Sequence, residues 1–230
     1  MQNPTYILNL ETSTKNCSVS ISLNGKVLAL KEICETNFSH AEKLTPFIKD
    51  VLTEAKLTLK NLSAIAIGKG PGSFTGLRIG VSSAKGLCFG LDIPLISIPT
   101  MEILANATTV NGYIIPVLDA RRQEVYTAVF NKNKKIVKET FNHVLEENSF
   151  SEYLDKDEVI FLGDGVTKTK EIIKHKNAIF LDDFHPSAKE MCKLAFEKFK
   201  NKDFEDVAYF EPFYLKDFYV TPSKKQKVLL

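Results

Sequence analysis

The feature that most constrains the fold is an order of hydrophobic patterns that occurs twice along the chain. Residues 6–32 carry three strand-length patterns, and Asn24-Gly25 between the second and third favours the tight turn of a β-hairpin. Apolar residues spaced three and four apart then predict helices over about residues 39–56 and 74–91, each followed by a short apolar strand pattern. The second half, from Tyr113 onward, repeats this order. Each half is therefore predicted to read βββαβαβ, with antiparallel strands first and parallel strands after them.

This duplicated order predicts an α/β protein of two lobes. An acidic residue closes the first strand of each half, Glu11 in one and Asp119 in the other. The arrangement resembles the paired RNase H-like lobes of actin, the 70-kDa chaperones and sugar kinases, the ASKHA fold, in which each mixed sheet is flanked by helices. We expect an N-terminal lobe over residues 1–105 and a smaller C-terminal lobe with a tail over residues 106–230. Element order supports an analogy of fold and carries no function by itself.

Composition narrows the class of protein. The 230 residues are 44% hydrophobic and 25% charged, and the net charge of +2 argues against a molecule that binds nucleic acid over its whole surface. The four cysteines match no zinc-site spacing and suit a reducing compartment. There is no apolar run of about 18 residues and no basic N-terminal run. We therefore expect a cytoplasmic protein without a membrane segment.

A glycine-rich segment, residues 68–73, lies between a predicted buried strand and a predicted helix. Such a turn can direct backbone N–H groups toward an anion. The segment lacks the Gly-Lys-Ser/Thr of a P-loop, and Thr75 stands where a dinucleotide fingerprint has its third glycine. Two interpretations stay open, a phosphate site and a turn that lets strand and helix pack closely, and the second is favoured.

Small residues recur along the helix that follows. They are Gly76, Gly80 and Ala84 in one series, and Gly86 and Gly90 in a second. Each interior glycine costs a helix about 0.8–1.0 kcal/mol relative to alanine, so we expect another segment to approach this backbone closely. That segment is predicted to be either the helix that begins near Ser39 or a second chain.

Candidates for catalysis and cofactor binding are few. Actin-like ATPases and sugar kinases hold a metal-bound nucleotide with acidic residues in the cleft between lobes. The cofactor-binding candidates here are Glu11, Ser13, Asp119 and Gly163. A metal site on the first helix would need a second histidine four residues after His40, and Leu44 stands there, so His40 is interpreted as a surface or capping residue. No catalytic residue and no metal ligand is predicted, and an ATP-binding enzyme that uses the cleft remains the alternative.

The C-terminal region contains residues that could bind nucleic acid. Residues 209–219 are rich in aromatic side chains, and lysines follow at residues 224–227. Aromatic and basic residues together can stack bases and contact phosphates. A hydrophobic strap across one lobe, followed by a solvated charged end, is the favoured interpretation. Arg121-Arg122 can likewise be an internal ion pair or a contact for an anion.

Several segments resemble signatures of one family, the TsaB (YeaZ) family. The segments are residues 7–14, 39–44, 70–80, 119–126 and 212–216. The run Gly-Pro-Gly-Ser-Phe-Thr-Gly-Leu-Arg within residues 70–80 is highly specific. Two positions depart from the pattern: Glu11 stands where aspartate is common, and Lys216 stands where arginine is commoner.

The resemblance implies a non-catalytic subunit that serves the threonylcarbamoyladenosine modification of tRNA. It implies binding to a TsaD-like catalytic subunit through the two helices of the N-terminal lobe, with a TsaE-like ATPase in the complex and tRNA engaged by the assembly. No cofactor is expected in this chain, because ATP and metal are expected in partner subunits. A homodimer through the same helices is a further possibility. The residues that this places at the partner interface are His40, Ala41, Leu44, Ile48, Phe74, Leu77, Arg78, Gly80, Val81, Ala84, Lys85, Leu87 and Cys88.

Overall fold

The computed structural model describes residues 4–35 and 40–216, and the first half of this range forms a mixed sheet. Its strands are β1 (Tyr6–Glu11), β2 (Asn16–Leu23), β3 (Lys26–Cys34), β4 (Ala64–Gly70) and β5 (Leu95–Pro99), in the order β3-β2-β1-β4-β5. The first three strands pair antiparallel, and β4 and β5 join in parallel. Asn24 and Gly25 both adopt positive φ between β2 and β3, as the predicted hairpin requires.

The second sheet repeats the order of the first. Its strands are β6 (Tyr113–Asp119), β7 (Glu124–Phe130), β8 (Ile136–Val144), β9 (Val159–Leu162) and β10 (Ala178–Leu181), in the order β8-β7-β6-β9-β10. Again the first three strands are antiparallel and the last two are parallel. The predicted fold, two RNase H-like α/β lobes, is confirmed.

Helices cover both sheets. They are α1 (His40–Glu54), α2 (Phe74–Leu91), α3 (Thr100–Asn106), α4 (Ser151–Leu154), α5 (Val166–Ile172) and α6 (Ala188–Lys200), with a 3₁₀ turn at Leu59–Asn61. The sequence did not predict α3, because most of its seven residues are buried and no polar face marks its period. Ser39, the predicted start of the first helix, lies outside the described residues. Within residues 4–35 and 40–216, no helix has the length and apolar content to cross a membrane.

Helix α6 occupies a place that the predicted domain boundary did not anticipate. Met191 and Ala195 of α6 pack with Ile7 and Ile96 of the first sheet, although residues 106–230 were assigned to the second lobe. The assignment of this helix is therefore corrected. Its apolar periodicity indicates a buried face but carries no information on which sheet covers that face.

The serine face of β2 provides the polar part of this contact. Ala188 N donates to Ser18 Oγ at 2.9 Å, and Ser20 Oγ donates to Ala188 O at 2.9 Å. Asn9 Nδ2 on β1 donates to Ser20 Oγ at 3.1 Å. These bonds satisfy buried polar groups at the point where α6 begins, which fixes the helix on the first sheet.

Residues 205–216, which we term the strap, run from the first lobe to the second. Lys85 Nζ on α2 donates to Ala208 O at 3.1 Å and to Phe210 O at 2.9 Å. Phe210 packs into the core beneath α1 and α2. The strap interpretation is confirmed at Phe210, whereas Tyr209, Phe213 and Tyr214 are exposed. Lys224–Lys227 lie outside the described residues.

Candidate partner-binding surface

The glycine-rich loop before α2 is filled by the chain itself. Ser73 N donates to Ser13 O at 2.6 Å, and Phe213 N of the strap donates to Lys69 O at 2.7 Å. A Cβ built on Gly72 would collide with the backbone of Ser13. The glycines therefore allow two segments of the same chain to approach, which favours the turn interpretation over a phosphate site.

The first small-residue series faces the interior of the lobe. A Cβ on Gly76 would collide with Thr12 O, and one on Gly80 would collide with Thr12 Oγ1. Thr12 Oγ1 also donates to Gly76 O at 2.8 Å. The nearest neighbour of this series is the β1–β2 turn, and His40 at the start of α1 lies 3.1 Å from a Cβ built on Gly76. The expected first helix therefore does contact the series, but the turn approaches it more closely.

Most residues predicted for the partner interface belong to the chain's own core. The buried ones are His40, Leu44, Ile48, Leu77, Gly80, Val81, Ala84 and Cys88. Helical spacing had identified the apolar faces of α1 and α2, and these faces cover the first sheet, so their assignment to a partner surface is corrected. Ala41 and Arg78 are exposed, and Phe74, Lys85 and Leu87 are half-buried, so for these five the interface stays a prediction.

His40 has a structural place as well. Its side chain is 1% exposed, and Nε2 lies 2.7 Å from Thr14 O. Because a carbonyl oxygen can only accept, Nε2 donates this bond. Burial lowers the pKa of the imidazole. The interpretation of His40 as a surface residue is wrong, and the ring connects the start of α1 to the β1–β2 turn; the alternative, a capping role, stays a prediction.

Two of the four cofactor candidates, Glu11 and Ser13, lie together beneath the surface of the first lobe. Ser13 N donates to Glu11 Oε1 at 2.6 Å. Glu11 Oε2 has no hydrogen-bond partner among the described residues, and burial raises the pKa of the carboxyl to about 7. A Cβ on Gly68 would collide with the carboxylate, so the glycine leaves the space that Glu11 fills. The carboxyl is thus packed against β4.

The other two candidates, Asp119 and Gly163, are neighbours in the second lobe. Asp119 Oδ1 accepts from Lys168 Nζ at 2.6 Å and from Arg121 N at 2.7 Å. Gly163 has a φ of +116° and lies against the backbone of Val117. No hydrogen bond or ion pair between described residues connects this pair to Glu11 or Ser13. Nor do the described residues contain a group of three or more His, Cys, Asp or Glu that could hold a metal ion.

The exposed side of α2 has a different character, and we term it the α2 outer face. It comprises Thr75, Arg78, Ser82, Gly86, Phe89 and Gly90. Phe89 is 86% exposed. A Cβ on Gly86 or Gly90 would meet no atom of residues 4–35 and 40–216 within 4 Å. No close approach within this part of the chain therefore offsets the free energy that these two glycines cost the helix.

Charge is scarce along this helix. Its 18 residues include two charged side chains, Arg78 and Lys85, and the bonds of Lys85 to strap carbonyls already engage its ammonium group. The Arg78 guanidinium lies 4.1 Å from the centre of the Phe74 ring. The Phe74 ring in turn lies 5.0 Å from that of Tyr214 in the strap. A surface of small, aromatic and arginine side chains with few other charges is typical of the centre of a protein interface.

The predicted interface did not include Gly86, Gly90, Phe89 or Ser82, although Gly86 and Gly90 were recognised as a pair of small residues. The sequence places a large aromatic beside glycines in Gly86-Leu87-Cys88-Phe89-Gly90 but does not show which side of the helix faces solvent. The exposure of Phe89 in the structure is what separates the outer face from the apolar stripe that covers the sheet.

Comparison with known proteins places the chain among proteins of tRNA modification. The family model described as TsaD, tRNA N6-adenosine threonylcarbamoyltransferase, matches residues 34–223. The tRNA threonylcarbamoyladenosine biosynthesis protein TsaB of Escherichia coli K12 is 31% identical over 220 residues, which cover 92% of this chain and 94% of that protein. The protein of the same name from Bacillus subtilis 168 is 31% identical over 172 residues, or 73% of this chain and 75% of that protein.

Solved structures agree with this placement. YeaZ from Pseudomonas aeruginosa superposes with a TM-score of 0.79 at 27% identity, covering 92% of this chain and all (100%) of that chain. A second Pseudomonas aeruginosa structure, described as an uncharacterized protein with similarity to peptidase YeaZ, gives a TM-score of 0.82 at 26% identity, with the same coverage of 92% and 100%.

Proposed function

Because the chain belongs to the TsaB (YeaZ) family, we propose that it takes part in the biosynthesis of threonylcarbamoyladenosine in tRNA as a non-catalytic subunit. In this role it binds a TsaD-like catalytic subunit, and a TsaE-like ATPase joins the assembly. ATP and metal are held by the partner subunits, and tRNA is engaged by the complex. The name shared by the relatives supports a part in threonylcarbamoyladenosine biosynthesis. The burial of Glu11 and Ser13 and the ion pair of Asp119 support the non-catalytic role.

The α2 outer face is the observation that carries the partner-binding part of this proposal. The open space beside Gly86 and Gly90 would let a helix of a partner approach the backbone of α2 closely. Phe89, now in water, would be buried in such a contact, and burying a phenylalanine side chain contributes on the order of 2 kcal/mol. The same face would serve a homodimer when no catalytic subunit is present.

The alternative, an ATP-binding enzyme of actin-like fold, has less support from the same geometry. Glu11 and Ser13 are buried by the chain itself, and Asp119 is engaged by Lys168. A nucleotide-bound metal needs carboxylates that are open to the cleft. Of the two carboxylates among the four candidates, Glu11 is buried, and Asp119 is 53% exposed but ion-paired with Lys168.

The test is co-expression of the chain with the TsaD-family subunit of the same organism, followed by size-exclusion chromatography. Gly86→Arg fills the open space beside α2, and Phe89→Asp places a charge at the centre of the face. Each is expected to weaken the complex by about tenfold or more, as loss of an interface hot spot does. The threonylcarbamoyladenosine content of tRNA should fall in cells that carry either variant as their sole copy.

Val137→Asp is the matched control, because it also places a charge on an exposed apolar position, on β8 of the second lobe. Gly80 is unsuitable for this test, since a side chain there collides with Thr12. Co-elution that persists in variants with unchanged thermal midpoints would rule out the α2 outer face as the surface. Tight magnesium-dependent ATP binding by the isolated chain would favour the enzyme alternative.

A further inference from the structure

A cleft of about 420 Å³ lies where the two lobes meet beside α6, away from the α2 outer face. Four elements form its walls. They are the β2–β3 turn, the end of α3, the β7–β8 turn and the first half of α6. The cleft thus takes residues from both lobes, and none of them belongs to a motif on which the proposed function rests.

Positive charge distinguishes this cleft. Its lining includes four lysines and one glutamate, in a chain whose net charge is only +2. Glu190 lies 3.6 Å from Lys189, and Lys134 Nζ donates to Asn106 O at 3.2 Å. Lys132 and Lys193 are exposed, and within the described part of the chain neither ammonium group has a hydrogen bond or an ion pair. Two ammonium groups are therefore available to an anion.

The backbones that carry these two lysines belong to separate elements of the fold, and both elements are well anchored. Lys132 lies in the β7–β8 turn, where Asn131 Oδ1 accepts from Asn133 N at 2.9 Å and from Lys135 N at 3.1 Å. Lys193 lies on α6, which is fixed to the first sheet by Met191 and its neighbours. Ordered backbones on both sides reduce the entropy that a ligand would lose on binding.

The lining also indicates what kind of anion fits. None of the described residues that line the cleft is aromatic, so they provide no platform on which a base could stack. Lysine ammonium groups are point charges on flexible stems, which suit phosphate oxygens and do not read base edges. Two such groups, carried by separate elements of the fold, can each contact a phosphate of the same chain.

We propose that this lysine cleft binds phosphates of an RNA backbone. Bound there, the tRNA that the complex modifies would contact this subunit by charge, without sequence readout. The inference rests on the proposed function for the identity of the RNA, whereas the anion site itself rests on the lysines. It assigns the RNA contact to a different region from the Lys224–Lys227 tail.

The test measures binding of a fluorescein-labelled, unmodified tRNA transcript to the full-length chain by anisotropy, over a series of KCl concentrations. The variant is Lys132→Gln with Lys193→Gln. Its affinity is expected to fall about tenfold, and the slope of log Kd against log[KCl] should fall by about 2, since each phosphate-contacting lysine contributes about 1. Lys156→Gln with Lys176→Gln is the control, because both lysines are exposed, lie outside the cleft and give the same change in net charge.

The control double variant should bind the transcript within about twofold of wild type. Equal losses in the two double variants would mean that net charge alone binds RNA, and that would overturn the assignment. An unchanged slope in the cleft variant, or no binding of the transcript by wild type alone or with its catalytic partner, would also overturn it. Tripolyphosphate is titrated in parallel, and binding of tripolyphosphate without the transcript would reassign the cleft to a small polyphosphate.

Co-elution with the TsaD-family subunit separates this inference from the proposed function. The cleft variant is expected to co-elute as wild type does, because its substitutions lie away from the α2 outer face. If the cleft variant binds RNA as wild type does and still co-elutes, the RNA-binding role of the cleft is rejected and the proposed function is unaffected. Failure of the wild-type chain to co-elute rejects the proposed function whatever the RNA measurement shows.

Discussion

At the scale of single residues, Glu11 is the side chain whose chemistry the fold changes most. The carboxyl is 0% exposed and accepts a bond from Ser13 N, and no cation among the described residues pairs with it. A buried carboxyl without a positive partner favours its neutral form, which is why its pKa rises from the ordinary 4.5 to about 7. This environment suits a residue that packs β1 against β4, and it does not suit one that binds a metal-bound nucleotide.

The raised pKa predicts a specific pH dependence of stability. A group whose pKa is higher in the folded state stabilises the fold below its unfolded pKa of 4.5, and this contribution is lost as pH rises through about 7. Between about pH 5 and pH 8 the wild type should lose roughly 2–3 kcal/mol of unfolding free energy from this carboxyl. Glu11→Gln cannot ionise and should lack this loss. Urea denaturation across the pH range measures the difference.

Glu42→Gln is the control, because Glu42 is exposed on α1 and its substitution should leave the pH profile as in wild type. The difference between wild type and Glu11→Gln isolates the carboxyl, since the buried His40 titrates in both proteins. A Glu11→Gln profile parallel to that of wild type would show that the carboxyl stays ionised inside the lobe.

At the scale of secondary-structure elements, α2 has glycines on two faces for opposite reasons. Gly80→Ala places a Cβ against Thr12 Oγ1 and 2.9 Å from Ile67 Cδ1, so we expect a loss of about 1–3 kcal/mol from overpacking. Gly86→Ala meets open space and should stabilise the isolated chain by about 0.5–1 kcal/mol through helix propensity. Urea midpoints of the two variants provide the measurement, and each variant is the control for the other. Changes of the same sign would contradict the assignment of the faces.

Much of this architecture could be predicted because local signals were strong. The Asn24-Gly25 turn and the change of period after β3 indicate the strand order without tertiary information. The position of α6 could not be predicted, because an amphipathic helix with Met191 and Ala195 on one face fits either sheet. In physical terms, the hydrophobic period of a helix shows which face is buried. Which sheet covers that face is determined by long-range packing.

The two faces of α2 also show that sequence spacing does not identify the neighbour of a helix face. Small residues at Gly76 and Gly80 correctly indicated a close approach, but the approaching segment is the turn at Thr12, far away in sequence. Phe89 was not among the predicted interface residues, and it is 86% exposed in the structure. Which face of α2 is the outer one depends on how the helix packs on its sheet, and helical spacing alone does not specify that.

At the scale of the whole molecule, the strap connects the regions that the family resemblance singled out. Lys216 Nζ lies 2.6 Å from Glu124 Oε2 and donates to Ala120 O at 3.2 Å, in the turn between β6 and β7. The hydrogen bond from Lys216 lowers the pKa of the Glu124 carboxyl. A few residues earlier, Phe213 N bonds to Lys69 O in the glycine-rich loop. The strap therefore ties the start of α2 in one lobe to a hairpin of the other.

Because of this connection, we expect a substitution at Lys216 to increase backbone mobility in both lobes. Lys216→Met keeps the apolar stem and removes the bonds to Glu124 and Ala120, so the end of the strap should detach and its bond to Lys69 should weaken. Hydrogen exchange read by mass spectrometry should then become faster in peptides of the glycine-rich loop as well as in those of the β6–β7 turn. Lys156→Met, an exposed lysine with no side-chain bond among described residues, should change neither region. Faster exchange in the β6–β7 turn alone would mean that Phe213 holds the glycine-rich loop without help from Lys216, and that the strap is two independent contacts.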